Sequence, residues 1–188
     1  MSLQHDIYSL PGDLPFPDND GAAEHLVGLA LPSLALVTTE GGSVDLSAVD
    51  GIAVVFCYPR TGRPGQNPLV DDWDRIPGAR GCTPQTCGYR DLFEAFKREG
   101  ASVYGLSTQD PDYQREMAER LRLPFPILSD AELRLAEAIK LPTFSVAAQC
   151  LLKRLAWVAE SGRIRHVFYP IFPPNESAAV VLRWLQNR

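Results

Sequence analysis

The chain has 188 residues, of which 45% are hydrophobic and 22% are charged, and its formal net charge at pH 7 is −5. This length and composition suit one domain, spanning residues 1–188, with a sizeable core. The acidic balance gives no overall positive field for nucleic acid or an anionic membrane, so neither partner is expected.

Residues 1–21 predict an irregular N-terminal extension or lid, because acidic residues and prolines occupy them. A secretory signal would instead need a basic start and an apolar run. No later stretch approaches the roughly 20 apolar residues that cross a bilayer. We therefore expect a cytoplasmic protein. In such a reducing compartment, the four cysteines indicate structural thiols, metal ligands or redox chemistry rather than a disulfide scaffold.

The first predicted elements are a hairpin and a buried strand. Residues 34–37 and 43–46 predict the hairpin, with Gly41 and Gly42 in its turn. The apolar run at 51–58, rich in β-branched and aromatic residues, predicts a central strand that is buried on both faces.

A long segment without a strand or helix pattern, residues 59–80, follows this strand. It contains four prolines and three glycines. Segments of this kind are uncommon inside a compact domain and are usually functional or mobile.

One helix is predicted over residues 83–99. Thr83 can cap it, Pro84 suits its first turn, and Gly100 can end it. The remaining patterns predict strands at 102–107, 125–130, 143–146 and 154–170, the last with a turn at 160–162, and helices at 111–123, 131–141 and 176–188.

This order of elements predicts an α/β domain in which a central mixed sheet is covered by helices on both faces. Helix 83–99 would cross between parallel strands 51–58 and 102–107 as a right-handed unit. Cys82 would then lie beyond the carboxyl end of the central strand, beside a helix N-terminus. Open α/β sheets usually place their ligand sites there.

Cys82 is the candidate reactive thiol. The positive end of the helix macrodipole and the cations of Arg80 and Arg90 favour the thiolate, which is the nucleophilic form of cysteine. The alternative is a half-buried structural thiol beside a helix start. For Cys57, in an apolar strand, packing is the simpler explanation, and for Cys150 a packing or surface role is simpler than a chemical one.

No metal-ligand pattern accompanies the cysteines. Zinc sites usually pair their ligands at spacings of two to four residues, often with histidines, whereas the three histidines of this chain are scattered. A Cys-X-X-Cys oxidoreductase motif is absent as well. We therefore expect neither a metal nor another cofactor.

Cys87 has the wrong spacing for a helical disulfide with Cys82. Five residues along an ideal helix separate the two Cα atoms by about 8 to 9 Å, whereas a disulfide needs them within about 7 Å. The pair can bond only if the first turns unwind, which the weak helix former Gly88 makes less costly. This arrangement suits two-stage chemistry, in which Cys82 is oxidised first and Cys87 then traps it after local unfolding.

The sequence resembles the peroxiredoxins of the bacterioferritin-comigratory, or Q-type, branch. The likeness covers about residues 28–187 and is most specific in GCTPQTCGYRD. It also rests on YPRTG, YGLSTQDP, LPFPILSD and KRLAWVAESGRIRHVF.

The resemblance implies a thioredoxin-like fold and thiol-dependent reduction of hydrogen peroxide and organic hydroperoxides. It makes Cys82 the peroxidatic cysteine, Cys87 the resolving cysteine and Arg154 the arginine beside the active-site thiolate. It further implies a sulfenic acid on Cys82, a disulfide with Cys87, and thioredoxin or a similar dithiol as reductant. Relatives of this type are often monomers or homodimers.

One departure from the family concerns the active-site loop. The family has Thr or Ser three residues before the peroxidatic cysteine and Pro seven before it, but this chain has Ala79 and Arg75. The familiar pair appears instead as Pro59 and Thr61, as if residues 62–80 were an insertion.

We therefore predict that Pro59 and Thr61 belong to the site and that the Thr61 hydroxyl bonds the thiolate or the peroxide. The alternatives are that Thr61 only turns the chain, or that Ala79 marks a pocket with altered activity. The insertion, which carries Trp73, either folds over the pocket or is a solvated loop.

Two other classes of function stay open from the residues alone. The protein could be a redox sensor or partner-binding domain, in which Cys82 and Cys87 switch a surface on oxidation. It could also be a structural thioredoxin-like module without a specially reactive thiol.

Overall fold

A computed structural model describes residues 6–188 and has a seven-stranded mixed sheet at its centre. The strands are β1 (Ala35–Thr38), β2 (Ser43–Asp45), β3 (Ile52–Cys57), β4 (Ala101–Ser107), β5 (Ile127–Ser129), β6 (Thr143–Val146), β7 (Gln149–Leu152), β8 (Leu155–Glu160) and β9 (Arg163–Phe168). The helices are α1 (Cys82–Asp91), α2 (Phe93–Arg98), α3 (Pro111–Leu121), α4 (Arg134–Ala138) and α5 (Ser177–Gln186).

The sheet has the strand order β2-β1-β5-β4-β3-β8-β9, and β6 and β7 form a separate hairpin. Strand β3 lies near the middle, parallel to β4 and antiparallel to β8. Its six residues are all buried, as the apolar run predicts. The pairing brings Cys57, the last residue of β3, opposite Leu155, the first residue of β8.

Helices cover both faces of the sheet, which confirms the predicted α/β architecture. Val54 and Phe56 of β3 pack with residues of α1, α2, α3 and α5. The alternate residues, Val55 and Cys57, belong to the opposite core with α4. Cys57 is thus a core residue, as expected. None of the helices within residues 6–188 has the length and apolar character needed to cross a membrane.

The predicted helix 83–99 is wrong in its continuity and in its cap. It is two helices, separated at Leu92, whose φ of −98° and ψ of 6° are not helical. Leu92 and Phe93 both pack against the core, and a break lets two consecutive side chains do so. The helix begins at Cys82 after Gly81, so Thr83 is not its cap.

Strand β7 was not predicted, and the structure places Cys150 on it. The turn from β6 to β7 uses Ala147 and Ala148, both with positive φ. Such turns usually carry Gly, Asn or Asp, so the two alanines give no hairpin signal. The helix predicted over 131–141 is also shorter, since α4 covers only Arg134–Ala138.

Gly81 fixes the entry of the chain into α1. Its φ is 103°, a conformation that costs a glycine little because it has no Cβ. A Cβ at this position would collide with Pro174 Cγ and would lie only 2.8 Å from Leu10 Cδ2. The residue before Cys82 therefore packs against both the N-terminal extension and the segment that leads into α5.

We predict that Gly81→Ala lowers the free energy of unfolding by about 3 kcal/mol, because left-handed strain and overpacking add. Gly100→Ala is the matched control, since Gly100 has φ of 72° but no neighbouring atom within 4 Å of the place where a Cβ would stand. It should cost only about 1 kcal/mol. Denaturant unfolding of the two reduced variants measures the difference, and equal losses would contradict the role of Gly81.

Candidate active site

Cys82 is the first residue of α1 and is 4% exposed. Its Sγ lies 3.6 Å from the carbonyl oxygen of Ala79, which can accept a hydrogen bond from the protonated thiol. The position at a helix N-terminus places the sulfur at the positive end of the helix dipole.

Arg154 is the residue that the structure brings against Cys82. It directly precedes β8, it is 3% exposed, and its Nη2 lies 3.3 Å from the Cys82 sulfur. The same nitrogen lies 3.1, 3.1 and 3.0 Å from the carbonyl oxygens of Gly78, Ala79 and Arg80, which share its two hydrogens with the sulfur. One guanidinium therefore contacts both the Cys82 sulfur and the loop that leads to it.

Gln85 is a site residue that the sequence analysis missed. It is fully buried, and its Oε1 accepts a hydrogen bond from Arg154 Nη1. Three residues after Cys82 in a helix, it lies on the same face as the thiol, and this spacing was the signal that could have found it. Gln85 Nε2 and Arg154 Nε are buried and have no hydrogen-bond partner among the described residues.

Residues of the predicted insertion wall the cavity into which Cys82 opens. The cavity encloses about 60 Å³. Its lining includes Leu69 and Trp73, together with Ile7 of the N-terminal extension. Trp73 is 5% exposed and begins a 3-10 turn, Trp73–Arg75. Of the two alternatives for residues 62–80, the structure therefore favours the first, in which the segment folds over the pocket and is not a solvated loop.

The N-terminal extension is irregular in its described part, residues 6–20. Arg80 connects it to the site: its Nη2 donates to the carbonyl oxygens of Asp6 and, at 3.1 Å, of Ser9. Its Nη1 lies 3.4 Å from Asp74 Oδ1. The extension and the insertion are therefore both attached to the residue two positions before Cys82.

Thr61 lines the same cavity as Cys82 and is 1% exposed. Its hydroxyl donates to the Gly62 carbonyl oxygen at 3.3 Å. Gln109, which the sequence analysis missed, holds the Thr61 backbone: its Oε1 accepts from Thr61 N at 2.7 Å, and its Nε2 donates to Thr61 O at 3.2 Å.

Pro59 is buried, and a residue at the end of β4 holds it. Its carbonyl oxygen accepts a hydrogen bond of 3.2 Å from Ser107 Oγ at the end of β4. Pro59 is not among the residues that line the Cys82 cavity. Its contacts therefore support a role in shaping the loop that carries Thr61.

Cys87 lies on α1 and is half-buried. Burial raises the pKa of its thiol, and the nearby Arg90 opposes that shift. All four cysteines are unpaired. Cys82 and Cys87 are thus on the same regular helix, whose spacing keeps their sulfurs from bonding.

The site and the sheet together define a class of protein. Residues 26–182 match the Redoxin family, and the chain therefore belongs to the redoxin family. The structure resembles the crystal structure of peroxidoxin BcpB from Mycobacterium tuberculosis, with a TM-score of 0.68 and 25% identity, over 86% of this chain and 96% of that one. This likeness confirms the expected thioredoxin-like fold.

Two relatives narrow the class. The chloroplastic peroxiredoxin Q of Populus jackii is 31% identical over 162 residues, which are 85% of this chain and 68% of that protein. Peroxiredoxin Bcp of Escherichia coli (strain K12) is 29% identical over 161 residues, which are 83% and 92% of the two chains. This chain is therefore a peroxiredoxin of the Q or Bcp group, a thiol-dependent peroxidase.

We predict that alkylation of Cys87 in the folded Cys82→Ser variant needs a higher pH than alkylation of an unfolded cysteine. The raised pKa of its thiol means that at a given pH a smaller fraction is thiolate than in an unfolded cysteine, whose pKa is about 8.5. The protein is labelled with iodoacetamide at several pH values, once in buffer and once in urea, and the modification of each cysteine is measured by mass spectrometry. The difference between the two pH profiles of Cys87 gives the direction of its pKa shift. Equal pH profiles in the two conditions would contradict it.

Proposed function

We propose that Cys82 is the peroxidatic thiol of this peroxidase and that Arg154 activates it. The observation that carries the assignment is the contact of 3.3 Å between Arg154 Nη2 and the Cys82 sulfur, at the N-terminus of α1. A guanidinium is permanently charged and presents several fixed donors. It therefore favours the thiolate in the resting site and stabilises negative charge on the oxygen that departs.

The first step oxidises Cys82. The thiolate attacks one oxygen of the hydroperoxide, an S–O bond forms and the O–O bond breaks. The sulfur loses two electrons and becomes a sulfenic acid, while the other oxygen leaves as hydroxide or alkoxide and takes up a proton from solvent. Arg154 already contacts the sulfur, so its donors can follow the charge as it moves to the leaving oxygen.

The second step joins Cys82 to Cys87. The Cys87 thiol attacks the sulfenic sulfur, a disulfide forms, and water leaves. For this step α1 must unwind, since a regular helix keeps the two residues apart. The break at Leu92 supports this proposal, because α1 can then unwind while α2 stays helical.

The contacts that hold α1 closed are specific. Tyr89 stacks on Phe56 with ring centroids 4.1 Å apart, and its hydroxyl lies 2.9 Å from Ser177 Oγ. Thr86 Oγ1 donates to the Cys82 carbonyl oxygen at 2.9 Å. Opening therefore has a free-energy cost, and the oxidised sulfur must persist long enough for the opened form to appear.

A dithiol then returns the enzyme to its reduced form. Two successive thiol–disulfide exchanges transfer two electrons from the dithiol, which leaves as a disulfide. We infer that thioredoxin or a similar dithiol protein is this partner, and that the protein works in a reducing compartment, the cytoplasm. Its four unpaired cysteines are consistent with that compartment. The expected monomer or homodimer stays a prediction.

Stopped-flow tryptophan fluorescence tests the roles of the two cysteines, with Trp73 as a reporter that lines the Cys82 cavity. We expect the reduced protein to react with hydrogen peroxide orders of magnitude faster than free cysteine and the Cys82→Ser variant to give no fast phase. With a dithiol present, the intact protein should consume many equivalents of peroxide, and Cys87→Ser should lose this turnover.

Two results would contradict these roles. A fast phase in Cys82→Ser would move the reactive thiol elsewhere. Consumption of only one equivalent by the intact protein, with reductant present, would favour the redox sensor over the turnover cycle proposed for this chain.

We further predict that Thr61→Val slows the reaction with hydrogen peroxide by roughly tenfold, the effect of a lost active-site hydrogen bond. In our proposal the Thr61 hydroxyl gives up its long hydrogen bond to the Gly62 carbonyl oxygen and forms one with the thiolate or the peroxide instead. Thr143→Val, an exposed position on β6, is the matched control. An unchanged rate in Thr61→Val would leave this residue with only a turn-forming role.

A further inference from the structure

One wall of the Cys82 cavity comes from Ile7 of the N-terminal extension, a residue that the proposed cycle does not use. Ile7 is 7% exposed. Its Cγ2 methyl group packs over Gly62, since a Cβ built on that glycine would lie 3.4 Å from the methyl carbon. Gly62 lines the same cavity and directly follows Thr61. The Ile7 side chain is therefore buried against the segment that carries a predicted site residue.

The chain on both sides of this isoleucine is anchored near the site. Arg80, two residues before the reactive thiol, donates to the carbonyl oxygens of Asp6 and, at 3.1 Å, of Ser9. The Tyr8 hydroxyl accepts a hydrogen bond of 2.7 Å from Arg120 Nη1, and the guanidinium carbon of Arg120 lies 5.5 Å from the centre of the Tyr8 ring. These contacts fix the extension around the isoleucine, so its side chain keeps its place in the wall of the cavity.

The Cys82 cavity is small. It measures about 60 Å³, far below the roughly 300 to 1,000 Å³ of pockets that hold ligands of drug size. Leu69 and Trp73 line it together with Ile7, and Cys82 itself is only 4% exposed. The size of the side chains in the wall therefore decides which peroxides reach the sulfur.

The geometry of the first step brings the substituent of the peroxide into this cavity. In that step the thiolate attacks the terminal oxygen, so the sulfur, the two peroxide oxygens and the substituent follow one another in a row. In hydrogen peroxide the substituent is a hydrogen atom. In cumene hydroperoxide it is a tertiary carbon that carries a phenyl and methyl groups, and this bulk must enter the space beside the sulfur. The Ile7 side chain occupies part of the room that such a carbon needs.

We propose that Ile7 is a specificity-determining residue, which admits hydrogen peroxide to Cys82 and slows the reaction with hydroperoxides of tertiary carbon atoms. The inference rests on the proposed peroxidatic role of Cys82 and specifies the substrate class of that same site. Ile7 precedes residues 26–182, which match the family. This selectivity is therefore a property of the N-terminal extension and not of the matched domain.

The test measures the rate constants of the reduced protein with hydrogen peroxide and with cumene hydroperoxide by stopped-flow fluorescence. In Ile7→Ala the ratio of the cumene hydroperoxide rate to the hydrogen peroxide rate should rise by about tenfold, the discrimination that even a single methylene provides in an apolar pocket. The rate with hydrogen peroxide should stay that of the intact protein. Ile7→Val, a smaller truncation, should raise the ratio in the same direction by less.

Two control variants separate the size of the side chain from other effects. Ile7→Leu keeps the volume of the side chain and should keep the ratio of the intact protein. Val27→Ala shortens a side chain that is 56% exposed and does not line the cavity, and it should also keep the ratio. An equal change of both rate constants in Ile7→Ala, or a rise of the ratio in Ile7→Leu as large as in Ile7→Ala, would overturn the inference.

Hydrogen peroxide separates this inference from the proposed function. If the intact protein and Ile7→Ala both react rapidly with hydrogen peroxide and have the same ratio, only the role of Ile7 is refuted. If the intact protein reacts with neither peroxide, the role of Cys82 is refuted and that of Ile7 with it.

Discussion

The contact between a buried guanidinium and a buried sulfur is the constraint on which the rest of this site depends. Arg154 is almost fully buried, and no carboxylate among the described residues pairs with it. An isolated charge in such a place is costly. Three loop carbonyls and Gln85 accept hydrogen bonds from Arg154, and in the proposed mechanism the Cys82 thiolate supplies the opposite charge. In that mechanism the stability of the loop and the reactivity of the thiol have the same origin.

This arrangement sets two requirements in opposition. In the proposed cycle, attack on the peroxide needs Cys82 held at the N-terminus of α1, whereas disulfide formation with Cys87 needs α1 to open. The fold meets the first requirement by packing: Gly81 contacts Leu10 and Pro174 so closely that no side chain fits there. It meets the second because the helix is interrupted at Leu92, so that α1 can unwind separately from α2. Residues of the N-terminal extension and of the 62–80 segment line the cavity at Cys82.

Much of this could be predicted from the sequence, because its signals are local or are carried by family motifs. The buried strand β3 follows from a continuous apolar run, and the place of Cys82 follows from a helix start after that strand. The family likeness alone indicated Arg154, which is distant from Cys82 in sequence. Gln85 and Gln109 were missed because a buried amide gives no pattern until its partners are known. The hairpin through Ala147 was missed because its turn lacks the residues that normally favour positive φ.

The most direct test of the central contact is the rate of reaction of hydrogen peroxide with the reduced Arg154→Lys variant. Lysine keeps the charge but cannot present several fixed donors to the sulfur and the loop at once. We expect the rate constant to fall by about 100-fold, the usual effect of losing a preorganised donor to developing negative charge. Arg165→Lys, an exposed position on β9, should react like the intact protein. A rate for Arg154→Lys within about twofold of the intact protein would contradict the account, because Cys82 would then owe its reactivity to something other than this guanidinium.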